Sequence, residues 1–574
     1  MMSPLDALLG RIGTHLTKIY GKGDHSILVN QLVEAMRLRE HFFEPTAFAN
    51  HWSEKDIALI TYGNTIQRRG FKPLEELREF LDSRLQERLS IVHILPYFPW
   101  TSDDGFAVSD YNSVNPELGD WSHLEEISAK YRVMSDLVVN HCSASHEWFV
   151  QFQNGEEPGM NYFFQAEPED DLSEVVRPRT SPLLRPTETP SGTKHVWCTF
   201  GHDQVDLDFS KPDLLVELVK IIRSHLDHGV SVFRLDAVAF IWKEIGTRSI
   251  NLPQTHELVR LFRTLIEHVK PDAVIITETN IPNQENLAYF GNCNEAHSIY
   301  NFSLPPLLLH AITTGNSFHL KQWMMRMPPA QSGTTYFNFI ASHDGIGLRP
   351  AEGLLSDEEI DSLVDLMRKR GGLISERAWA GGENRPYEIN ISLFDALGGE
   401  DEFFCAHTVL LALEGIPAFY IHSLLGTFND YERYKRTNHN RHINRHQWDA
   451  DELDCFLDDP ESHHARVLTR MLELIEIRKS QPAFHPNATQ FTLHLGDEIF
   501  AFWRQSVDRR NNVFCIHNIS QHTQEIPVSS INLISTEDWI DLLSGEELEG
   551  EVSEIVLKPY QSVWLANRRK HLPY

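Results

Sequence analysis

The chain has 574 residues, 41% of them hydrophobic and 23% charged, with 31 Gly and 29 Pro spread along it. That composition excludes collagen-like, low-complexity and disordered chains, and the length leaves core for more than one domain. Subtracting 81 acidic from 51 basic residues gives a net charge of -30, which excludes a general nucleic-acid binder, because phosphate backbones are held by clustered Lys and Arg. Residues 1–56 contain LDALLGRIGTHL and SILVNQLVEAMRLREHF, whose apolar spacing of three and four predicts an N-terminal helical extension. The start of the chain lacks the charged lead and unbroken apolar core of a signal peptide, and no stretch reaches the roughly 18 apolar residues of a membrane span. Cys142, Cys198, Cys293, Cys405, Cys455 and Cys515 lie far apart with no CxxC pair, and read as reduced thiols of a cytoplasmic protein.

From residue 57 the pattern changes to short β-branched apolar runs with helical segments between them: IALITYG, IVHILPYF, VMSDLVVNH, VSVFRLDAV, AVIITETN, AHSIYNF, TYFNFIASHD and IPAFYIH. None alternates strictly, as expected of parallel strands buried on both faces. The alternation of strand and helix predicts an α/β fold, a (β/α)8 TIM barrel over residues 57–141 and 205–479. Two intervals are too long for simple connections. Residues 142–204, rich in Pro, Asp and Glu, read as a domain inserted after the third strand, and residues 345–392, without clear helical periodicity, as a loop or subdomain after the seventh. Beyond residue 480 the segments FTLHL, IFAFW, NVFCIHNI and EIVLKPYQSVWLA, with turn residues between them, predict a C-terminal antiparallel β domain over 480–574.

In such a barrel the active site collects at the C-terminal ends of the strands. Four runs close there on polar residues: Asp136, Asn140 and His141; Arg234 and Asp236; Glu278; and His343 with Asp344. One carboxylate at a strand end is more often structural than catalytic. Three, with an Arg two residues before one and a His beside another, call for a function, since buried charge is costly. Glycoside chemistry fits, with one carboxylate as nucleophile, one protonated carboxyl as acid, and further negative charge near an oxocarbenium-like transition state.

The ordered set DLVVNH, GVSVFRLDAV, ITET and SHD, with QVDLD at 204–208, resembles the five conserved regions of the α-amylase superfamily, glycoside hydrolase family 13. The resemblance implies Asp236 as nucleophile, Glu278 as general acid/base and Asp344 as transition-state stabiliser. Arg234 would orient Asp236 and keep it ionised, while Glu278 needs a site that holds its proton. His141 and His343 match the histidines that bond sugar hydroxyls where the bond breaks. ILPYFPWTSDDGFAVSDY, ASHDGIG and NDYERYKRTNHNRHINRH narrow the resemblance to the sucrose phosphorylase group. There Asp103 and Phe106 match positions that grip and stack on a terminal glucose, and Arg441 matches the partner of that Asp. Phe200 and Tyr387 sit beside motif positions as further stacking candidates; Phe240 and Trp148 rank below them. The implied substrates are a small α-glucoside and, as co-substrate rather than cofactor, inorganic phosphate, with Pro178 and Arg179 matching the phosphate-contacting segment.

Two departures concern the acceptor. The Asp-Leu-Tyr-Gln stretch of sucrose phosphorylases corresponds here to Arg385, Pro386, Tyr387 and Glu388, and Asn280 stands where those enzymes have His. An Arg beside the leaving group suggests an anionic aglycone. The pattern ETNIP and the length are more similar to glucosylglycerate phosphorylases, so fructose and glycerate both stand as acceptors. A hydrolase or transglucosidase shares every catalytic residue. A catalytically dead sugar-binding protein predicts loss of Asp236, Glu278 or Asp344, and none is lost. His439, His442 and His446 do not read as a zinc site, because Arg441 and Arg445 interleave with them. α-Amylases use the match of Asn140 as a calcium ligand, but the sucrose phosphorylase group does without it, so no metal is expected. The chain is expected to be a monomer or homodimer that binds neither nucleic acid nor membrane. An acidic protein that takes phosphate must gather Arg179, Arg234, Arg385 and Arg441 near one cleft.

Overall fold

The computed structural model describes residues 3–378, 384–531, 538–548 and 553–568. Its centre is a closed barrel of eight parallel strands: β1 Ala58–Thr61, β2 Ile91–Ile94, β3 Arg132–Val138, β4 Val230–Asp236, β5 Val274–Thr277, β6 Ser298–Tyr300, β7 Thr335–Phe339 and β8 Ile416–Tyr420. Each pairs with its sequence neighbour, and β1 closes on β8 through Ala58 opposite Ala418. All eight coincide with the apolar runs. Every residue of β4 is buried, which is why these strands carry no polar face and no alternation.

Two N-terminal helices, α1 Pro4–Tyr20 and α2 Ser26–Ala35, pack on the outside of the barrel. Leu8, Ile12, Leu16 and Ile19 recur at helical spacing and are buried. They lie against the barrel helix Pro253–Glu267, where Glu257 accepts from His15 Nδ1 at 2.6 Å and from Lys18 Nζ at 3.2 Å. The helix starts on a capping box between Ser3 and Asp6 with Pro4 in its first turn.

Residues 142–204 hold a helix, Glu147–Asn154, and a hairpin, Leu184–Thr189 with Gly192–Trp197. The antiparallel pair His141–Ser143 and Gln204–Asp206 returns the chain to the barrel. The interval 345–392 departs from expectation, for it contains a 13-residue helix, Asp357–Lys369. Its apolar stripe is narrow, only Leu363, Val364 and Met367 being buried, so periodicity is weak. The start signal was nonetheless present as a capping box, Ser356 with Glu359. Beside it lies a three-stranded antiparallel sheet of Ile346–Gly347, Asn384–Asn390 and Leu373–Ala378.

The C-terminal part forms a six-stranded antiparallel sheet from Thr489–Leu493 to Ser562–Arg568. Buried Arg504 ties it to the barrel by donating to the carbonyls of Ala412 at 2.7 Å and His485 at 2.8 Å. The six cysteines are unpaired. Among the described residues no helix is long and apolar enough to cross a membrane.

Leu16 is fully buried between α1 and the barrel, so Leu16→Ala should destabilise the fold by about 2–5 kcal/mol. Urea unfolding followed by tryptophan fluorescence should show a lowered midpoint; an unchanged midpoint would mean that the helical extension is not part of the cooperative unit.

Candidate active site

Arg234 and Asp236 stand two residues apart on β4 and so share a face. β4 pairs with β3 in a register that puts Asp136 beside Arg234. The Arg234 guanidinium bridges Asp136 and Asp236 through Nη1, the second bond being 2.7 Å, and its Nη2 lies 3.9 Å from Glu278 Oε1. Asp136 also receives His93 Nε2 from β2 at 2.8 Å. Ala237 adopts φ 50°, a conformation that costs a non-glycine residue energy and clusters at functional sites. Its N–H donates to Glu278 Oε2 at 2.9 Å. Side chains from β2, β3 and β4 and from the end of β5 are thus fixed in one layer.

Burial pushes the Asp236 carboxyl well up; the Arg234 charge opposes this and the Glu278 charge adds to it. Burial also raises Glu278, with Arg234 and the Ala237 amide opposing and Asp344 reinforcing. The expectation that Arg234 alone keeps Asp236 ionised therefore becomes a property of a pair that shares one proton. The guanidinium touches Asp236 and stands off Glu278, so the charge rests on Asp236 and the proton on Glu278. Burial works against ionisation of Asp344, but neighbouring His343 and the Arg441 and Arg234 guanidiniums outweigh it and hold this carboxyl well below the usual range. Burial lowers both His141 and His343. Asp136 is buried too, yet Arg234 and His93 hold it down to about 2.

On one side of these carboxyls Phe106 stacks on His343, with centroids 5.3 Å apart. His141 Nε2 lies 3.0 Å from the Phe106 carbonyl. Asp103 and Asp104 both take positive φ, at 54° and 48°, and Gly105 follows at 119°, where a Cβ would lie 2.8 Å from the Pro96 carbonyl oxygen. The turn is pinned by Asp104, which accepts from Arg445 Nη1 at 2.5 Å and from His442 Nε2 at 2.7 Å. The expected pairing of Arg441 with Asp103 is not made. Arg441 binds Asp344 at 2.8 Å and forks onto Glu388 at 2.9 and 2.8 Å, while Asp103 receives Gln204 Nε2 at 3.3 Å. A buried carboxylate facing the guanidinium edge-on offers the two-bond geometry that Asp103 lacks. Glu388 therefore lies behind Arg441 and does not line the pocket, contrary to its reading as an acceptor contact.

On the other side Arg179 sits over the rings of Phe200 and Tyr387, 5.7 and 5.6 Å from their centroids, with Pro178 beside it. Asn280 Nδ2 donates to the Tyr387 hydroxyl at 3.2 Å. Arg385 falls outside this cleft. It is exposed on the strand Asn384–Asn390 and faces Asp357 at 3.6 Å. The cause is a β-bulge: Ser375 pairs with Glu388 and Glu376 with Pro386, so Tyr387 is the extra residue and turns inward while Arg385 stays outside. The sequence reading missed Arg349, Gln204 and Ala237, which line the pocket, and ranked Phe240, which also lines it, too low. The LRP that follows DGIG was the available signal for Arg349. Trp148 packs away from the site against Tyr162. The pocket opens to solvent, and about 700 Å³ of non-atom space lies within it and its mouth.

Behind His141 the buried Lys243 ammonium donates to Asn140 Oδ1 at 2.8 Å and pairs with Asp206 at 3.0 Å. An ammonium thus satisfies the oxygens that the family resemblance connects with calcium. His442 and His446 are bonded to Asp104 and Asp430, each at 2.7 Å. Among the described residues no group of three His, Cys, Asp or Glu side chains is placed to hold a metal ion.

The family profile described as alpha amylase, catalytic domain, matches residues 89–346. The chain is 41% identical over 530 residues to a glucosylglycerate phosphorylase of Spirochaeta thermophila, covering 90% of each protein. It is 30% identical over 456 residues to a sucrose phosphorylase of Agrobacterium vitis, covering 75% of this chain and 89% of the relative. The crystal structure of a sucrose 6F-phosphate phosphorylase from Thermoanaerobacter thermosaccharolyticum superposes with a TM-score of 0.73 at 23% identity, over 88% of this chain and 98% of that one.

Removing the Lys243 ammonium leaves Asp206 buried without its ion pair. Lys243→Met should therefore destabilise the protein by about 3–5 kcal/mol, and adding Asp206→Asn should recover part of that loss. Thermal unfolding of the two single variants and the double variant checks this; strictly additive losses would contradict the pairing.

Proposed function

This chain belongs to the α-amylase family and, within it, to the glycoside phosphorylases of the sucrose phosphorylase group, and we propose that its donor is an α-glucoside of glycerate, which it converts with inorganic phosphate to α-glucose 1-phosphate and glycerate. The observation that carries the choice is how the guanidiniums that line the pocket are paired. Arg234 and Arg441 are ion-paired, whereas Arg179 and Arg349 have no anionic partner among the described residues. Phosphate accounts for one of these cations and a carboxylate on the acceptor for the other; neutral fructose would leave one uncompensated. The greater likeness to a glucosylglycerate phosphorylase than to a sucrose phosphorylase supports the same reading.

In this mechanism Asp236 attacks the anomeric carbon while Glu278 gives its proton to the departing glyceryl oxygen, forming a β-glucosyl ester on Asp236. Arg234 holds Asp236 charged until it attacks. Asp344, kept ionised by Arg441, lies against the positive charge that develops on the sugar ring. Phosphate then enters on the vacated face, Glu278 takes its proton, and a second inversion returns the α configuration. Phe106 and His343 form the wall against which the glucosyl ring packs, with His141, Asp103 and Phe200 completing its pocket. Arg179, beside Pro178 and over Tyr387, receives the phosphate.

Phosphorolysis of glucosylglycerate should exceed that of sucrose by at least about 100-fold in kcat/KM, the scale on which a site built for a charged group rejects a neutral one; comparable rates would refute the glycerate assignment. Asp236→Asn should lower kcat by about 10⁴-fold or more. The required form of the pair carries one proton, so activity falls as pH rises through the raised pKa of Glu278. With α-glucosyl fluoride, whose leaving group needs no acid, Glu278→Gln should still release fluoride and lose that alkaline limb. A limb that persists in the variant would assign it to another group.

A further inference from the structure

Of the two guanidiniums left without an anionic partner, Arg349 is the more deeply placed, only 8% exposed. It lies on the pocket wall, and among the described residues no hydrogen bond or ion pair falls to its side chain. It opens a short turn, Arg349–Ala351, that is fastened on both sides. The Leu348 N–H donates to the Tyr387 carbonyl at 3.0 Å, and Ser303 Oγ donates to the Pro350 carbonyl at 3.0 Å. The like charge that acts on Arg349 most is Arg377, itself buried and paired with Glu352. Burial first, and then the Arg377 charge, disfavour the cationic form of Arg349, with Tyr387, Glu352 and Glu285 opposing, so a bound anion would favour that form further. Next to the turn is a second unsatisfied atom. Asn280 Oδ1 is buried without a donor, and a Cβ at Gly347 would come within 3.2 Å of the Asn280 amide nitrogen, so the turn and Asn280 are neighbours.

Resting on the glycerate reading above, we propose that Arg349 holds the carboxylate of the acceptor while Asn280 Oδ1 takes one of its hydroxyl protons, so that Arg349 sets the preference for small hydroxy acids over neutral polyols. The guanidinium fork matches a planar carboxylate with two parallel bonds. The Tyr387 hydroxyl accepts from Asn280 Nδ2 and keeps its own proton to donate. Arg179, stacked over Phe200 and Tyr387 and only partly buried, remains for the phosphate. The two anions of the reaction thus have separate cations. Arg385, whose charge suggested this role from the sequence, takes no part.

The test runs the reaction in reverse, with glucose 1-phosphate as donor and glycerate or glycerol as acceptor, and reads the ratio of the two kcat/KM values. Arg349→Gln should lower the glycerate-to-glycerol ratio by about 30-fold or more, mainly through KM for glycerate, as expected when a charge-assisted bond is lost. Arg349→Lys should give an intermediate ratio, and serves alone if the Gln variant does not fold. Arg385→Gln should leave the ratio as it is in the parent. A ratio that survives Arg349→Gln while both rates fall together would make Arg349 merely structural, and a rise in KM for phosphate at constant ratio would make it the phosphate ligand; either overturns the proposal. A parent enzyme that does not prefer glycerate to glycerol overturns the glycerate reading itself, before any variant is made.

Discussion

The site depends on one buried cation. Arg234 rises from β4 with almost no exposure and touches the carboxylates of two adjacent strands, Asp136 on β3 and Asp236 on β4, with Glu278 of the next strand 3.9 Å away. Three carboxyls so close together in a low-dielectric space would otherwise hold extra protons. The guanidinium instead apportions charge among them by distance. Asp136 is ionised and structural, and in the proposed reaction Asp236 carries the charge that attacks while Glu278, farther off, keeps the proton to be delivered. The strained Ala237 belongs to the same device, because its backbone brings an N–H to Glu278 and fixes the carboxyl in place.

A net charge of -30 and a reaction that takes phosphate are reconciled by geometry. The acidic residues lie mostly over the outside, whereas four guanidiniums converge on one cavity. Two of them are neutralised by the catalytic carboxylates and by Glu388. The remaining pair, Arg179 and Arg349, lies toward the inserted segments, where the proposed reaction exchanges acceptor for phosphate. In the proposed reaction this arrangement separates the glucose side, walled by Phe106 and His343, from the side that receives anions.

Much of this was legible in the sequence, and the limits have physical causes. The eight strands could be read because burial on both faces leaves uninterrupted apolar runs, and the catalytic carboxyls because such runs must end in something polar at the open end of a barrel. Ion pairing across the fold was not legible. Nothing local says that Arg441 prefers Glu388 and Asp344 to Asp103, since those partners meet only after three separate loops close. That Arg385 lies outside the cleft has a sharper cause. A single extra residue, Tyr387, in one strand pair reverses which side chains face inward, and a bulge of that kind leaves no mark in composition or motif. The helix Asp357–Lys369 escaped because only three of its residues are buried, although its capping box was in plain view.

On the proposed mechanism Arg234 makes Asp236, and not Glu278 or Asp344, the group that bonds to glucose. A fluorinated glucosyl fluoride whose turnover is slow allows the covalent ester to accumulate, and peptide mass spectrometry of the quenched protein locates it. The account expects one glucosyl adduct per chain, on the peptide that contains Asp236. An adduct on Glu278 or Asp344, or steady fluoride release with no adduct formed, would contradict it.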